Sequence, residues 1–421
     1  MDWDDPQLIS TLILLLVLVL IAFRQVGGIR LKIWQIMTGG AIAAVALGEI
    51  SPVDAIRSIN ADVMIFLAGM FVVGEAMRQS GYLFYLTNRL FGRADSTDEL
   101  LIMLLFGMGM LSAFLMNDTI AIIGTPVVLY LSRLHRVAPA LMLLSLAFAV
   151  TIGSAMSPIG NPQNLLIAID GGLDNPFADF FGNLFIPTCI NLFIVYLLMK
   201  AFYRNEFRRL DQIHVSCSLS DENLARVCRI SLATIVVLIL LKIVAVMLGA
   251  GESFRLTYIA VAAALPVITL SNRRWEMLRG IDWETLIFFA SMFVLMEAVW
   301  RSGFIQESLS LESDGIASVS MVLGLSVTLS QLVSNVPFVA LYLPVLDQIG
   351  ATAQTMVALA AGSTIAGNLS VLGAASNVII IQNAEKDGAT ITFLEFVKAG
   401  IPLTAANLAV YWLFLEIWPA L

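Results

Sequence analysis

Charge is scarce in this chain: Asp, Glu, Lys and Arg make up 13% of its 421 residues, against roughly 25% in an ordinary soluble protein. No hydrophilic stretch is long enough for a large soluble domain, although length alone would suggest about two or three domains of roughly 150 residues. Cysteine is nearly missing. Cys189, Cys217 and Cys228 are too few and too scattered for a disulfide scaffold or a four-ligand zinc site. The two histidines, His135 and His214, argue against haem or multi-histidine metal chemistry. Basic residues number 23 against 31 acidic ones, a net charge of −8, so no bulk basic surface for nucleic acid is expected. No nucleophile–base pair or metal cluster stands out, which disfavours an enzyme and predicts no cofactor beyond a coupling ion.

What is present is apolar sequence, 59% of the residues. Runs of membrane-spanning character recur from end to end: 9–23, 33–47, 63–77, 141–156 extended to 169, and 184–199 in one set. A second set covers 230–248, 257–270, 285–299, 356–365 extended to 381, and 401–417. The first run precedes Arg24 and follows an acidic segment, the reverse of a signal peptide, so it reads as a retained helix. Between the third and fourth runs of each set lies a further apolar pair, at about 100–132 and 316–347, each broken by only two or three polar residues. Read as re-entrant hairpins, these leave ten crossings with both termini on one side. With the termini outside, 19 basic residues fall on the cytoplasmic side, and only Arg57, Arg255 and Arg301 fall outside. A cell inner (plasma) membrane location follows.

The two sets are copies. Ile59–Gly81 and Ile281–Gly303 share 11 identities in 23 positions, among them Glu75 with Glu297. Ser112, Asn117 and Pro126-Val127 recur at the same spacing as Ser330, Asn335 and Pro344-Val345, and Ser157, Gly160 and Asn164 recur as Ser370, Gly373 and Asn377. The reading is a first repeat at 1–202, a cytoplasmic connector at 203–228 and a second repeat at 229–421. Five crossings per repeat, an odd number, put the second repeat upside down, the inverted plan of secondary transporters.

Backbone that leaves the helix inside hydrocarbon must be buried in protein or line a watery cavity, because each unsatisfied polar group costs several kcal/mol. Four breaks mark such places: the tips Asn117-Asp118-Thr119 and Ser334-Asn335, and the interruptions 157–162 and 367–373. Helix N-termini at the tips suit an anionic or polar solute, and free carbonyls with Asn and Ser oxygens suit Na⁺. The same residue types also cap helices without a ligand. Four breaks in two related pairs favour the functional reading. The expected solute site is Asn117, Asp118, Thr119, Ser157, Asn161, Asn164, Ser334, Asn335, Ser370 and Asn377. The coupling ion, Na⁺ or H⁺, is expected at Asp118, Gly160, Asn164, Gly373 and Asn377. Asp118 is the acid at a tip and the first candidate for a carrier of the ion. Glu75 and Glu297 read as partners of Arg78 and Arg301, and Lys242 as a snorkelling or protomer-contact residue.

These motifs resemble the ion transporter superfamily, which holds arsenite efflux pumps, divalent anion–sodium symporters, citrate–metal carriers and some sodium/proton antiporters. Asn117-Asp118 followed by Thr125-Pro126 looks like the first hairpin of arsenite pumps, and Asn335-Val336-Pro337 like their second. The sodium/dicarboxylate branch carries Ser-Asn-Thr at both tips, and its Gly-Thr-Pro-Pro-Asn segment stands here as Gly160-Asn161-Pro162-Gln163-Asn164. Gly373-Ala374-Ala375-Ser376-Asn377 looks more like the general anion-transporter branch. The resemblance implies an all-α polytopic fold of two inverted repeats, a homodimer and an elevator-type carrier. The leading expectation is proton- or sodium-coupled transport of a small anion or metalloid oxyanion of the arsenite type. The alternative is a sodium-coupled di- or tricarboxylate carrier, and a further one a sodium/proton antiporter.

Overall fold

The computed structural model describes residues 6–23, 25–26, 29–91, 94–210, 220–249, 254–303 and 315–417. Cys217, His214 and the middle of the connector lie outside the described residues. The described chain is helical apart from one ladder of two residues a side, Gln25–Val26 against Ile29–Arg30. Its first part runs α1 (Pro6–Phe23), α2 (Ile33–Ala46), α3 (Pro52–Arg57), α4 (Ala61–Ser80), α5 (Tyr82–Phe91), α6 (Thr97–Leu115), α7 (Asn117–His135), α8 (Pro139–Ser154), α9 (Pro162–Asp170) and α10 (Pro176–Phe202). Its second part runs α11 (Glu222–Met247), α12 (Leu256–Leu270), α13 (Arg274–Gly280), α14 (Trp283–Arg301), α15 (Val319–Val333), α16 (Asn335–Gln348), α17 (Ala353–Ile365), α18 (Ala375–Lys386) and α19 (Phe393–Trp412), with short 3₁₀ turns at Ala366–Asn368 and Val371–Gly373.

Five of the described helical segments, Thr97–Leu115, Pro176–Phe202, Glu222–Met247, Trp283–Arg301 and Phe393–Ile417, are long and apolar enough to cross a bilayer unaided. The molecule is an all-α, multi-pass integral membrane protein. Leucines and valines of α11, among them Val236, Val237, Leu240, Leu241 and Val244, are exposed, as side chains facing lipid should be. The interior faces of α4, α8 and α17 are nearly completely buried.

Helix starts follow the caps written in the sequence. Asn60 accepts from the Val63 amide at the start of α4, and Asp282 from the Thr285 amide at the start of α14. The two hairpin candidates turn at one residue each: Met116 between α6 and α7, and Ser334 between α15 and α16, with φ of 66° and 74°. Side chains rarely take this left-handed conformation, and neither residue is glycine. The crossing of α6 with α8 is equally tight, since a Cβ on Gly153 would lie 2.3 Å from the Gly109 Cα.

Packing crosses between the two parts of the chain. Helix α2 packs on α14 and α4 on α12; α9 packs on α16, α7 on α18 and α10 on α19. Ion pairs follow the same exchange: Arg255 holds Asp62 at 3.2 Å, and Lys32 holds Glu284. Glu75 takes Arg78 and Gln79, and Glu297 takes Arg301, which also reaches Asp54 at 2.9 Å. Both glutamates are therefore bound within or beside their own helices, as expected of them.

Candidate functional site

The first break lies between α8 and α9, and two asparagines hold it open. Asn161 caps α9 through the Asn164 amide at 2.9 Å and donates its own amide to the Ser154 and Thr364 hydroxyls, each at 3.0 Å. Asn164 donates to the carbonyls of Ser157 at 3.0 Å, Ser154 at 3.2 Å and Ala155 at 3.3 Å, and accepts from the Thr364 hydroxyl at 3.2 Å. Both side chains are fully buried, and together they satisfy backbone that would otherwise be stranded in an apolar interior. The first tip docks onto this break: the Asn117 amide donates to the Gly160 carbonyl at 2.8 Å. The Asn117 side chain turns back to accept from the Asp118 amide at 2.9 Å. Ser157 is buried and accepts from the Ile159 amide at 3.3 Å. Asp118 itself is only 8% exposed, and its Oδ1 has no hydrogen-bond partner among the described residues.

The second break is built differently. Asn377 donates to the Gly367 carbonyl at 2.7 Å. Gln331 of α15 donates to the Ala366 carbonyl at 2.6 Å and accepts from Ser370 at 3.0 Å. Gly367 is hemmed in by Thr151, whose methyl lies 3.3 Å from where a Cβ would stand, and by the Asn335 amide at 3.7 Å. Around it, Thr151 Oγ1, Asn335 Oδ1 and Asn377 Oδ1 are buried with no partner among the described residues, as is Ser376 Oγ. Repeat spacing equates Asn377 with Asn164 and Thr151 with Thr364. At the first break the Asn164 amide goes to backbone carbonyls and its oxygen to the Thr364 hydroxyl, whereas at the second the oxygens of Asn377 and Thr151 have no partner among the described residues. Ser334 forms the turn of the second tip. Gly373 lies against the Ala366 carbonyl, and a Cβ there would stand 3.3 Å from Gln331 Oε1.

A cavity of about 460 Å³ reaches the first tip. Thr119 and Ile122 of α7 form part of its wall, with Glu75 and Arg78 of α4, Asp282 and Glu284 at the start of α14, and Gln382, Asn383 and Lys386 of α18. Thr119 touches α4 closely there: a Cβ on Gly74 would stand 2.8 Å from its methyl and 2.9 Å from its hydroxyl. The structure places Asn117, Ser157, Asn161 and Asn164 around Gly160 and Asn335, Ser370, Gly373 and Asn377 around Gly367, while Thr119 stands in the cavity wall. It also adds residues that sequence reading did not single out, Thr151, Thr364, Gln331 and Lys386, and puts Arg78, expected only as the partner of Glu75, in the cavity wall. Thr151 is findable once Thr364 is known, because the two occupy equivalent places in the repeat. The meeting of the two cations is not, since elements about 300 residues apart in sequence bring them together.

Comparison with known proteins places the chain among transporters. A family model described as citrate transporter matches residues 16–357. An uncharacterized transporter of Mycobacterium tuberculosis is 27% identical over 412 residues, covering 94% of this chain and 95% of the relative. The human P protein is 27% identical over 500 residues, covering 96% of this chain and 59% of that longer one. Among solved structures, the Alcanivorax borkumensis YdaH transporter superposes with a TM-score of 0.58 at 16% identity, over 99% of this chain and 98% of that one, a likeness of fold.

Proposed function

The chain belongs to the citrate transporter family, and from that premise we propose that it is a cation-coupled secondary carrier of a small di- or tricarboxylate. The family match favours this reading over a metalloid oxyanion. One observation carries it: the cavity reaches Thr119 at the first hairpin tip and has two cations in its wall, Lys386 and the Glu75-paired Arg78, beside the carboxylates of Asp282 and Glu284. No basic residue stands in the four breaks themselves, and a multivalent carboxylate gains from two nearby cations as well as from helix N-termini. Thr119 and the tip of α7 receive the solute, with Asn117, Ser157 and, from the second tip, Ser334 and Asn335 completing its surroundings. Asn161 and Asn164 hold the first break in shape.

The coupling cation divides between two places. Thr151, Asn335 and Asn377 offer uncommitted neutral oxygens around Gly367, a donor set that suits Na⁺. Ser370 and Gly373 shape that break from its far side. Asp118 offers the one carboxylate at a tip, for a proton or a cation. The chain forms two inverted repeats, as the crossed packing of α2 with α14 and α4 with α12 supports. In this reading α6–α10 with α15–α19 travel as an elevator against α1, α2, α4, α11, α12 and α14, and a homodimer forms through the latter group. Both termini lie outside, at the inner (plasma) membrane, so the cavity opens to the cytoplasm.

Purified protein in vesicles, offered radiolabelled citrate, succinate and arsenite under imposed sodium and proton gradients, tests the proposal. Carboxylate uptake that follows a cation gradient is expected. Arsenite flux without carboxylate flux would replace this reading with the metalloid one, and gradient-coupled sodium flux alone would make the protein an antiporter.

A further inference from the structure

The repeat equates Asn60 with Asp282, the N-caps of α4 and α14, and Asp170 with Asn383, at corresponding places on α9 and α18. On one face of the molecule the first pair is joined: Asn60 Nδ2 donates to both Asp170 carboxylate oxygens, at 3.1 and 3.0 Å. On the other face the corresponding pair stands apart. Among the described residues Asp282 accepts from Thr285 alone, at its amide and hydroxyl, and Asn383 accepts from Lys386 at 3.2 Å. Both Asp282 and Asn383 line the 460 Å³ cavity. The amide and the carboxylate have exchanged places between the two faces, so each pair keeps one donor and one acceptor.

The neighbouring pairs supply an internal comparison. Lys32 with Glu284 and Arg255 with Asp62 are also equivalent through the repeat, and both ion pairs are made. They join helices within the group α2, α4, α12 and α14. Among these four pairs the asymmetry lies in the links that run from that group to α9 or α18.

We propose that Asn60–Asp170 and Asp282–Asn383 are alternating latches, one made while the other is open, which position the carrier at the two ends of its transport stroke. This rests on the inverted-repeat, alternating reading above. In the present state the Asn60–Asp170 latch is closed and the cavity holds the other open. On the return stroke α18 approaches the start of α14, the cavity between them closes, and Asn383 donates to Asp282.

Cross-linking in the full-length protein tests this. In a chain with Cys189, Cys217 and Cys228 replaced by Ser, Asp282→Cys/Asn383→Cys is oxidised with copper phenanthroline in vesicles, with and without Asn60→Asp. Asp caps a helix as well as Asn does, so Asn60→Asp keeps α4 and sets two carboxylates face to face at the first latch. The cross-link yield is expected to rise at least threefold with Asn60→Asp and to fall back when Asp170→Asn restores an amide–carboxylate pair in exchanged order. A yield that Asn60→Asp leaves unchanged overturns the latches. Labelling of Gln382→Cys, another cavity residue, by an impermeant maleimide separates the two ways of failing. If labelling falls in Asn60→Asp while the cross-link does not form, alternation stands and the latches are wrong. If neither responds, both readings fall.

Discussion

Two asparagines at equivalent places in the repeat, Asn164 and Asn377, should fail in different ways when cut to alanine. Asn164 contributes an amide to three carbonyls at 3.0–3.3 Å and a carbonyl to Thr364, all at full burial. An amide has two hydrogens, so its removal strands about two donated bonds and one accepted bond. A buried polar group left unsatisfied costs about 1–3 kcal/mol, and partial relaxation leaves a net loss of about 3–6 kcal/mol. Asn377 makes one such bond, to the Gly367 carbonyl at 2.7 Å, so Asn377→Ala should cost only about 1–3 kcal/mol. At roughly 1–2 °C per kcal/mol for a chain larger than a 250-residue domain, thermal unfolding in detergent should fall by about 3–12 °C for Asn164→Ala and by about half of that or less for Asn377→Ala. Sodium supplies the second axis. A cation held by Asn377 Oδ1 at a concentration 100 times its Kd adds about 2.7 kcal/mol, so the wild type and Asn164→Ala should gain stability with sodium and Asn377→Ala should not. Equal losses in the two variants, together with a wild type indifferent to sodium, would refute this division of labour.

Asp118→Asn should abolish gradient-driven uptake while leaving solute exchange across vesicles measurable, because the fold keeps its tip and loses only the ionisable group. Arg78→Gln and Lys386→Gln should each raise the KM for carboxylate several-fold with a smaller effect on maximal rate, read in the same vesicles. Gly153→Leu should lower thermal stability by more than the 1–3 kcal/mol typical of overpacking, since even a Cβ there would meet Gly109 at 2.3 Å. For Asp170, the packed chain around it raises the carboxyl, the Asn60 amide opposes this, and the nearby Asp62 carboxylate adds to the rise, to about 6. A carboxyl whose folded pKa exceeds its unfolded value favours the folded state more as pH falls. Wild-type stability should therefore rise relative to Asp170→Asn between about pH 6 and pH 4, as denaturation midpoints across that range will report.

Much of this was legible in the sequence because the bilayer restricts what apolar runs can become. The runs at 33–47 and 230–248 map onto α2 and α11 within a few residues, at α11's start within eight. The interrupted run at 141–169 resolves into α8 and α9 at the predicted break. Asn161, expected at the solute site, caps α9 before Pro162. The turns were harder. Met116 and Ser334 take left-handed backbone without the glycine that usually signals it, and only the polar residues beside them betrayed the tips. The inward reach of Thr364 to Asn161 and Asn164 depends on the packing of α17 against α9, which one residue's type does not reveal. Repeat arithmetic reveals its counterpart Thr151 once Thr364 is known.

The exchange of partners between the two parts of the chain also constrains how the protein is made. Helix α9 rests on α16 and α7 on α18, and Asn161 waits for the hydroxyl of Thr364. When the ribosome has finished α10, the first tip and its break lack the surfaces that complete them, and some 160 residues remain to be translated before Thr364 emerges. The nascent first part must therefore be held in the membrane with its polar breaks shielded, and a chain ended in the connector should be degraded unless the second part is supplied alongside it.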